Sequence, residues 1–93
     1  MTKPIGYYTS YTPGESGLLA DMQSEWGSIF EQLNQAERAW MIYQLGYQLW
    51  MGIDEGVRDL VEETINNRAS HELSSVDKLG LIEALVNQMK YSN

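Results

Sequence analysis

The chain has 93 residues, no cysteine, a net charge of −7, and 43% hydrophobic and 11% aromatic residues. That length makes one domain with a single modest core, and the absence of cysteine excludes disulfides, iron–sulfur clusters and thiolate zinc sites. The six Lys and Arg are scattered between Lys3 and Lys90, which argues against nucleic acid and anionic membrane surfaces as partners, since binding phosphates requires concentrated positive charge.

Acidity favours solubility and a neutral or basic protein partner. The N-terminus, Met-Thr-Lys-Pro-Ile-Gly, has no apolar core of the kind a signal peptide needs. No apolar run approaches the ~20 residues that span a bilayer. A reducing cytoplasm is the expected location.

Residues 1–15 differ from the rest. "KPIGYYTSYTPGE" holds both prolines, two glycines and three tyrosines, with no helical period. It reads as an extended arm whose tyrosines lie over the helices with their hydroxyls in water; the alternative is a frayed tail. Residues 16–93 read as an all-α, four-helix bundle-like domain.

Helix one is expected from about Ser16 to Leu33. Leu18, Leu19, Met22, Trp26, Ile29, Phe30 and Leu33 recur at three- and four-residue steps and make one face. Thr12-Pro13-Gly14-Glu15 is a candidate capping box, with Ser16 an equally good N-cap. Gly27 weakens the helix by up to ~1 kcal/mol relative to alanine and gives a neighbour room to approach.

Helix two, "QAERAWMIYQLGYQLWMG", runs from Gln35 with Asn34 as N-cap and Glu37 completing an N-x-x-E box. Gly52 is its natural C-cap. Glu37, Gln44 and Gln48 form a polar stripe roughly 40° wide, Arg38 stands apart, and the rest of the circumference is apolar or aromatic. Helix three is expected from Asp54 or Glu55 to Ala69, with Val57, Leu60, Val61, Ile65 and Ala69 as its stripe and an acidic first turn that suits the helix dipole. Helix four is expected from Ser75 to Met89 or Lys90, capped by Ser74 with Asp77 three residues on.

The chain contains an echo of itself. "LNQAERAWMIYQLGYQL" (Leu33 to Leu49) aligns without a gap on "LSSVDKLGLIEALVNQM" (Leu73 to Met89), so that Asn34 meets Ser74, Glu37-Arg38 meets Asp77-Lys78, and Ile42, Leu45 and Gln48 meet Ile82, Leu85 and Gln88. The apolar positions of helices one and three superpose at an offset of 39 residues, Leu18 on Val57 and Met22 on Val61. This pattern suggests two repeated helical hairpins; the alternative is that any two capped amphipathic helices look alike.

Leu73-Ser74-x-x-Asp77-Lys78-Leu79-x-Leu81-Ile82-x-x-Leu85 resembles the L-S-x-x-[E/D]-[R/K]-L-x-L-I-x-x-L helix of small putative addiction-module antitoxins, over about a seventh of the chain, with a looser second copy at Leu33 to Leu45. That resemblance implies an α-helical protein that binds and masks a toxin. The chain has no basic DNA-binding segment, and its motif recurs in a repeat instead of standing beside a toxin-wrapping tail. More diffusely, "IGYYTSYTPGE" with the closing "LIEALVNQ" is similar to small uncharacterised cyanobacterial helical proteins, which implies no function.

No catalytic, metal or cofactor motif emerges. His71, the only histidine, lies in "ASHELSS" with no specified nucleophile or orienting group, and Glu72 is adjacent to it instead of at a ligand spacing. It reads as a solvated loop or helix-end residue. Helix three has no E-x-x-H pair, and "DEGVRDLVEETI" lacks the alternating ligands of an EF-hand, so its carboxylates read as a solvated face. Trp26, Trp40 and Trp50 stand at helical spacing, a core or interface pattern more than a pigment site. No glycine-rich loop follows a strand.

Helix two is too apolar for the edge helix of a monomer. Placed centrally, it would have most of its circumference covered by three other helices, but not Trp40, Tyr43, Tyr47 and Trp50, which share a side and belong to interface-enriched types. Either the tyrosine arm covers this side or a partner does, and a homodimer is favoured over a monomer. The expected function is that of a small acidic non-enzymatic protein-interaction domain (adaptor, inhibitor or assembly factor) docking through these four residues, with no cofactor. The alternatives are a helical protein binding a small apolar ligand, with Gly27, Gly46 and Gly80 opening space for it, and a toxin-masking antitoxin-like protein.

Overall fold

A computed structural model describes residues 3–9 and 16–91. Among these the chain is all-α, with no strand. Its contacts cluster into two units, residues 1–53 and 54–93. The expected capping box over Thr12 to Glu15, and Tyr11 of the arm, lie outside the described residues.

The first unit opens with a single 3₁₀ turn, Ile5–Tyr7, preceded by Pro4. Ile5 is buried and its N–H donates to the Ser28 carbonyl at 3.0 Å, so the arm is attached to the segment that follows the first helix. Tyr7 and Tyr8 remain exposed, edge to face with centroids 5.1 Å apart. Among the described residues of the arm, Ile5 is the buried one, and its backbone hydrogen bond to Ser28 adds to that anchor.

Helix α1 is Leu18–Trp26, seven residues shorter at its C-terminus than the spacing predicts. The reason lies at Gly27. It sits at φ +95°, donates its N–H to the Gln23 carbonyl, and turns the chain out of the helix; only glycine enters that region freely. Phe30 follows at φ +56°, a rare conformation for a bulky residue. Local contacts hold it there. Its N–H reaches the Gly27 carbonyl at 3.0 Å, its carbonyl accepts from Leu33 N–H at 3.1 Å and from Arg38 Nη2 at 3.1 Å, and its ring meets Trp26 edge to face at 6.1 Å. Leu33 closes this turn and is buried.

Helix α2 is Gln35–Met51. Its start is set by a reciprocal capping box. Glu37 N–H donates to Asn34 Oδ1 at 2.8 Å, and Asn34 N–H donates to Glu37 Oε1 at 2.9 Å, satisfying two orphan donors of the first turn. Gly52 ends it by donating to the Leu49 carbonyl.

In the second unit, residues 54–58 are irregular and helix α3 spans 59–72. It starts later than Asp54 or Glu55: its N-cap is Arg58, in extended conformation and with no side-chain cap. It also runs past Ala69. Its three segments are α-helical Asp59–Glu63, a π-helical stretch Thr64–Ala69, and α-helical Ser70–Glu72. Hydroxyls bracket the π stretch: Thr64 Oγ1 donates to the Leu60 carbonyl at 2.7 Å, and Ser70 Oγ donates to the Asn67 carbonyl at 3.0 Å. Such back-bonding competes with the i−4 ladder and bends helices. Leu73, in extended conformation, ends the helix. Helix α4, Ser75–Tyr91, begins with Asp77 N–H donating to Ser74 Oγ at 3.1 Å, one half of the capping box expected from Ser74 and Asp77.

Burial is sparse. Ile5 and Leu33 are the buried apolar residues among those described, and both belong to the first unit. In the second, Ala69, Leu73 and Ile82 are half-buried and no described residue is buried.

Candidate functional site

The candidate site is the outer face of α2. At 100° per residue, Trp50, Tyr43, Tyr47 and Trp40 fall in that order within an arc of about 80°. The 17-residue helix carries them along a rod of ~25 Å. Its charged side chains, Glu37 and Arg38, are both in the first turn, and both are engaged locally. Glu37 closes the capping box, and Arg38 bridges Gln35 Oε1 at 2.6 Å to the Phe30 carbonyl. From Ala39 to Met51 the helix carries no charge.

The four expected residues are 62% (Trp40), 65% (Tyr43), 45% (Tyr47) and 54% (Trp50) exposed. Tyr47 and Trp50 pack edge to face, centroids 6.0 Å apart and planes at 70°. The half-buried positions of α2 are Met41 and Gln44, which lie on the side of the expected polar stripe with Glu37 and Gln48. Glu37 and Gln48 of that stripe are exposed, as are the four aromatics, and no residue of α2 is buried. Amphipathic counting locates the polar stripe but not the side on which the chain covers it.

Sequence reasoning also passed over two surfaces. A cleft of about 440 Å³ opens beside Trp40, between the end of α1 and the start of α2, lined by Trp26, Leu33, Ala36, Glu37, Trp40 and Met41. Ile42, Leu45 and Leu49 form an exposed aliphatic strip on the far side of α2 from the aromatics. The breadth of the apolar arc was the signal for the strip; the cleft has none, because it depends on the turn at Gly27.

In the second unit, α3 and α4 flank an open apolar cleft of about 390 Å³ lined by Ile65, Ala69, Leu73, Leu81, Ile82 and Leu85, with Ser70 and Lys78 at its edge. On α3, Arg68 grips Glu72 through two hydrogen bonds, Nε to Oε2 at 2.7 Å and Nη2 to Oε1 at 2.8 Å. The hydrogen bond with Arg68 holds the Glu72 carboxyl below the usual carboxylate range, and the same bond raises Arg68. His71 sits in the last turn of α3, exposed.

Among the described residues no group of three or more Asp, Glu or His side chains is placed to hold a metal ion, and no helix is long and apolar enough to cross a membrane. Compared with protein-family models, curated proteins and solved structures, the chain matches none.

Proposed function

We propose that this chain is a small, acidic, non-enzymatic protein-interaction domain that docks through the aromatic face of α2. One observation carries the reading: four aromatic side chains aligned on an uncharged helix face, each about half or more exposed. Contiguous apolar surface of this kind, built from Trp and Tyr, marks protein–protein sites. The near absence of a buried core supports it, because helices of this length draw their stability from packing an apolar face and are marginal alone.

The same reading treats the protein as two repeated helical hairpins of a four-helix architecture. Asn34 and Ser74, 40 residues apart, cap helices of equal length, Gln35–Met51 and Ser75–Tyr91, and each accepts from the backbone N–H three residues on. The boundary between the two units falls between them. The toxin-masking variant draws on the Leu73–Leu85 motif, whose Leu79, Leu81 and Leu85 lie on α4, with Leu73 just before it. A second reading, capture of a small apolar ligand, draws on the cleft between α3 and α4; it has few convergent polar groups to orient one.

The test is affinity capture from the native host with the full chain and with Trp50→Ala. The expected result is a partner retained by the parent and lost by the variant. Identical partners from both would remove α2 from the binding role.

A further inference from the structure

We infer that the aromatic face of α2 is occupied by α2 of a second copy of this chain, in an antiparallel pair whose two-fold axis passes at the level of position 45. The inference rests on the interaction reading above and names its partner. Its ground is the order of the residues. Trp40, Tyr43, Tyr47 and Trp50 are spaced three, four and three apart, and the series Trp-Tyr-Tyr-Trp reads the same in both directions about position 45.

A two-fold interface is self-complementary: if residue i meets residue j, then j meets i. An antiparallel pair with its axis at position 45 places Trp40 against the second copy's Trp50, and Tyr43 against its Tyr47. Every aromatic position then faces an aromatic position of the same type. The spacing of three, four and three is also the alternation of an a/d seam, and antiparallel seams match a positions with d positions across the pair.

Charge and space favour the same direction. In the antiparallel pair Glu37 lies 16 positions from its counterpart, which at 1.5 Å per residue is ~24 Å along the axis, beyond the Debye length of ~8 Å. A parallel pair sets Glu37 beside Glu37 and puts like ends of the two helix dipoles side by side. Ala39 and Gly46 flank the stripe on one side, and nothing lies within 4 Å of a Cβ position at Gly46, which leaves room for rings. At roughly 200 Å² per aromatic side chain, exposures of 45–65% leave about 450 Å² uncovered on each copy. The four rings alone thus offer about 900 Å² across two copies, close to the ~1,000 Å² that a biological interface clears.

The experiment is sedimentation equilibrium on the full chain, combined with cysteine trapping, for which the cysteine-free sequence gives a clean background. Trp40→Cys and Trp50→Cys chains are oxidised alone and mixed. A disulfide needs Cα atoms within ~7 Å, whereas in the antiparallel pair each position is ten residues, ~15 Å, from its own copy. The expected result is a dimer whose affinity drops roughly tenfold or more in Trp40→Ala, with cross-links in the mixture and little in either variant alone. Circular dichroism confirms that each variant keeps its helicity.

Self-cross-linking of each variant alone means a parallel pair and overturns the inference. A dimer indifferent to Trp40→Ala, or a parent chain monomeric at ~100 μM, overturns it as well. In the monomeric case, a partner captured through Trp50 leaves the interaction reading standing. If capture is also indifferent to Trp50, both fall.

Discussion

Gly27 shows how one residue shapes the surroundings of the candidate site. Its φ of +95° ends α1, and a Cβ there collides with the Glu31 carboxylate. That carboxylate sits at the end of a flexible side chain and can swing away, so the conformational penalty decides the effect. Gly27→Ala is expected to lower stability by about 1–2 kcal/mol, read as a drop in melting temperature by circular dichroism; an unchanged or raised midpoint would refute the left-handed stop. The Arg68–Glu72 pair makes a pH prediction. Glu72 is held below its ordinary range by Arg68, so any stability it contributes is fully present above the unfolded-state carboxylate pKa. It is lost as pH falls through the depressed folded value. Both side chains are solvent-exposed, and an acidic residue at a helix C-terminus opposes the dipole, so Glu72→Gln is expected to shift the melting midpoint little at neutral pH. An NMR titration checks the direction: Glu72 titrates at lower pH in the parent than in Arg68→Gln, and coincident curves would show that the bridge does not form in solution.

At the scale of elements, the two 17-residue helices are started by local chemistry. Asn34 and Ser74 each satisfy an N–H that the first turn leaves without a partner. Asn34→Ala and Ser74→Ala are each expected to cost about 1 kcal/mol and to lower helicity, because each deletes the side-chain oxygen that accepts the N–H three residues on. The second half of the Asn34 box is tested by Glu37→Ala, which removes the acceptor of the Asn34 backbone N–H; an unchanged melting midpoint would mean that this half contributes nothing. These caps were legible in the sequence because each is an i, i+3 pattern. The end of α1 was not: periodicity continues through Ile29, Phe30 and Leu33, and nothing in a glycine's spacing distinguishes a helix-interior glycine from one at positive φ. The late start of α3 was hidden in the same way, since Asp54 and Glu55 suit a first turn but no side chain caps it.

At the scale of the molecule, the decisive fact is how little is buried. Ile5 and Leu33 form the core of the first unit among the described residues, and the second unit has no buried residue there. If folding is coupled to pairing, stability follows protomer concentration by mass action. The melting midpoint of the parent chain is expected to rise over a roughly hundredfold increase in concentration, and that rise should largely vanish in Trp40→Ala. A midpoint independent of concentration in both would show that the helices are stable without partners.

The all-α class, the two capped helices, and the alignment of Trp40, Tyr43, Tyr47 and Trp50 on one side of α2 were legible from the order of residues alone. Helix hydrogen bonds close within four residues, and a face follows from 3.6 residues per turn, so both are written in neighbouring positions. It took the folded chain to bury Ile5 and bond it to the Ser28 segment, and to half-bury Met41 and Gln44 of α2. Burial joins residues far apart in the chain, such as Ile5 and Ser28, and a periodic pattern that offers an apolar face does not say which part of it will be covered.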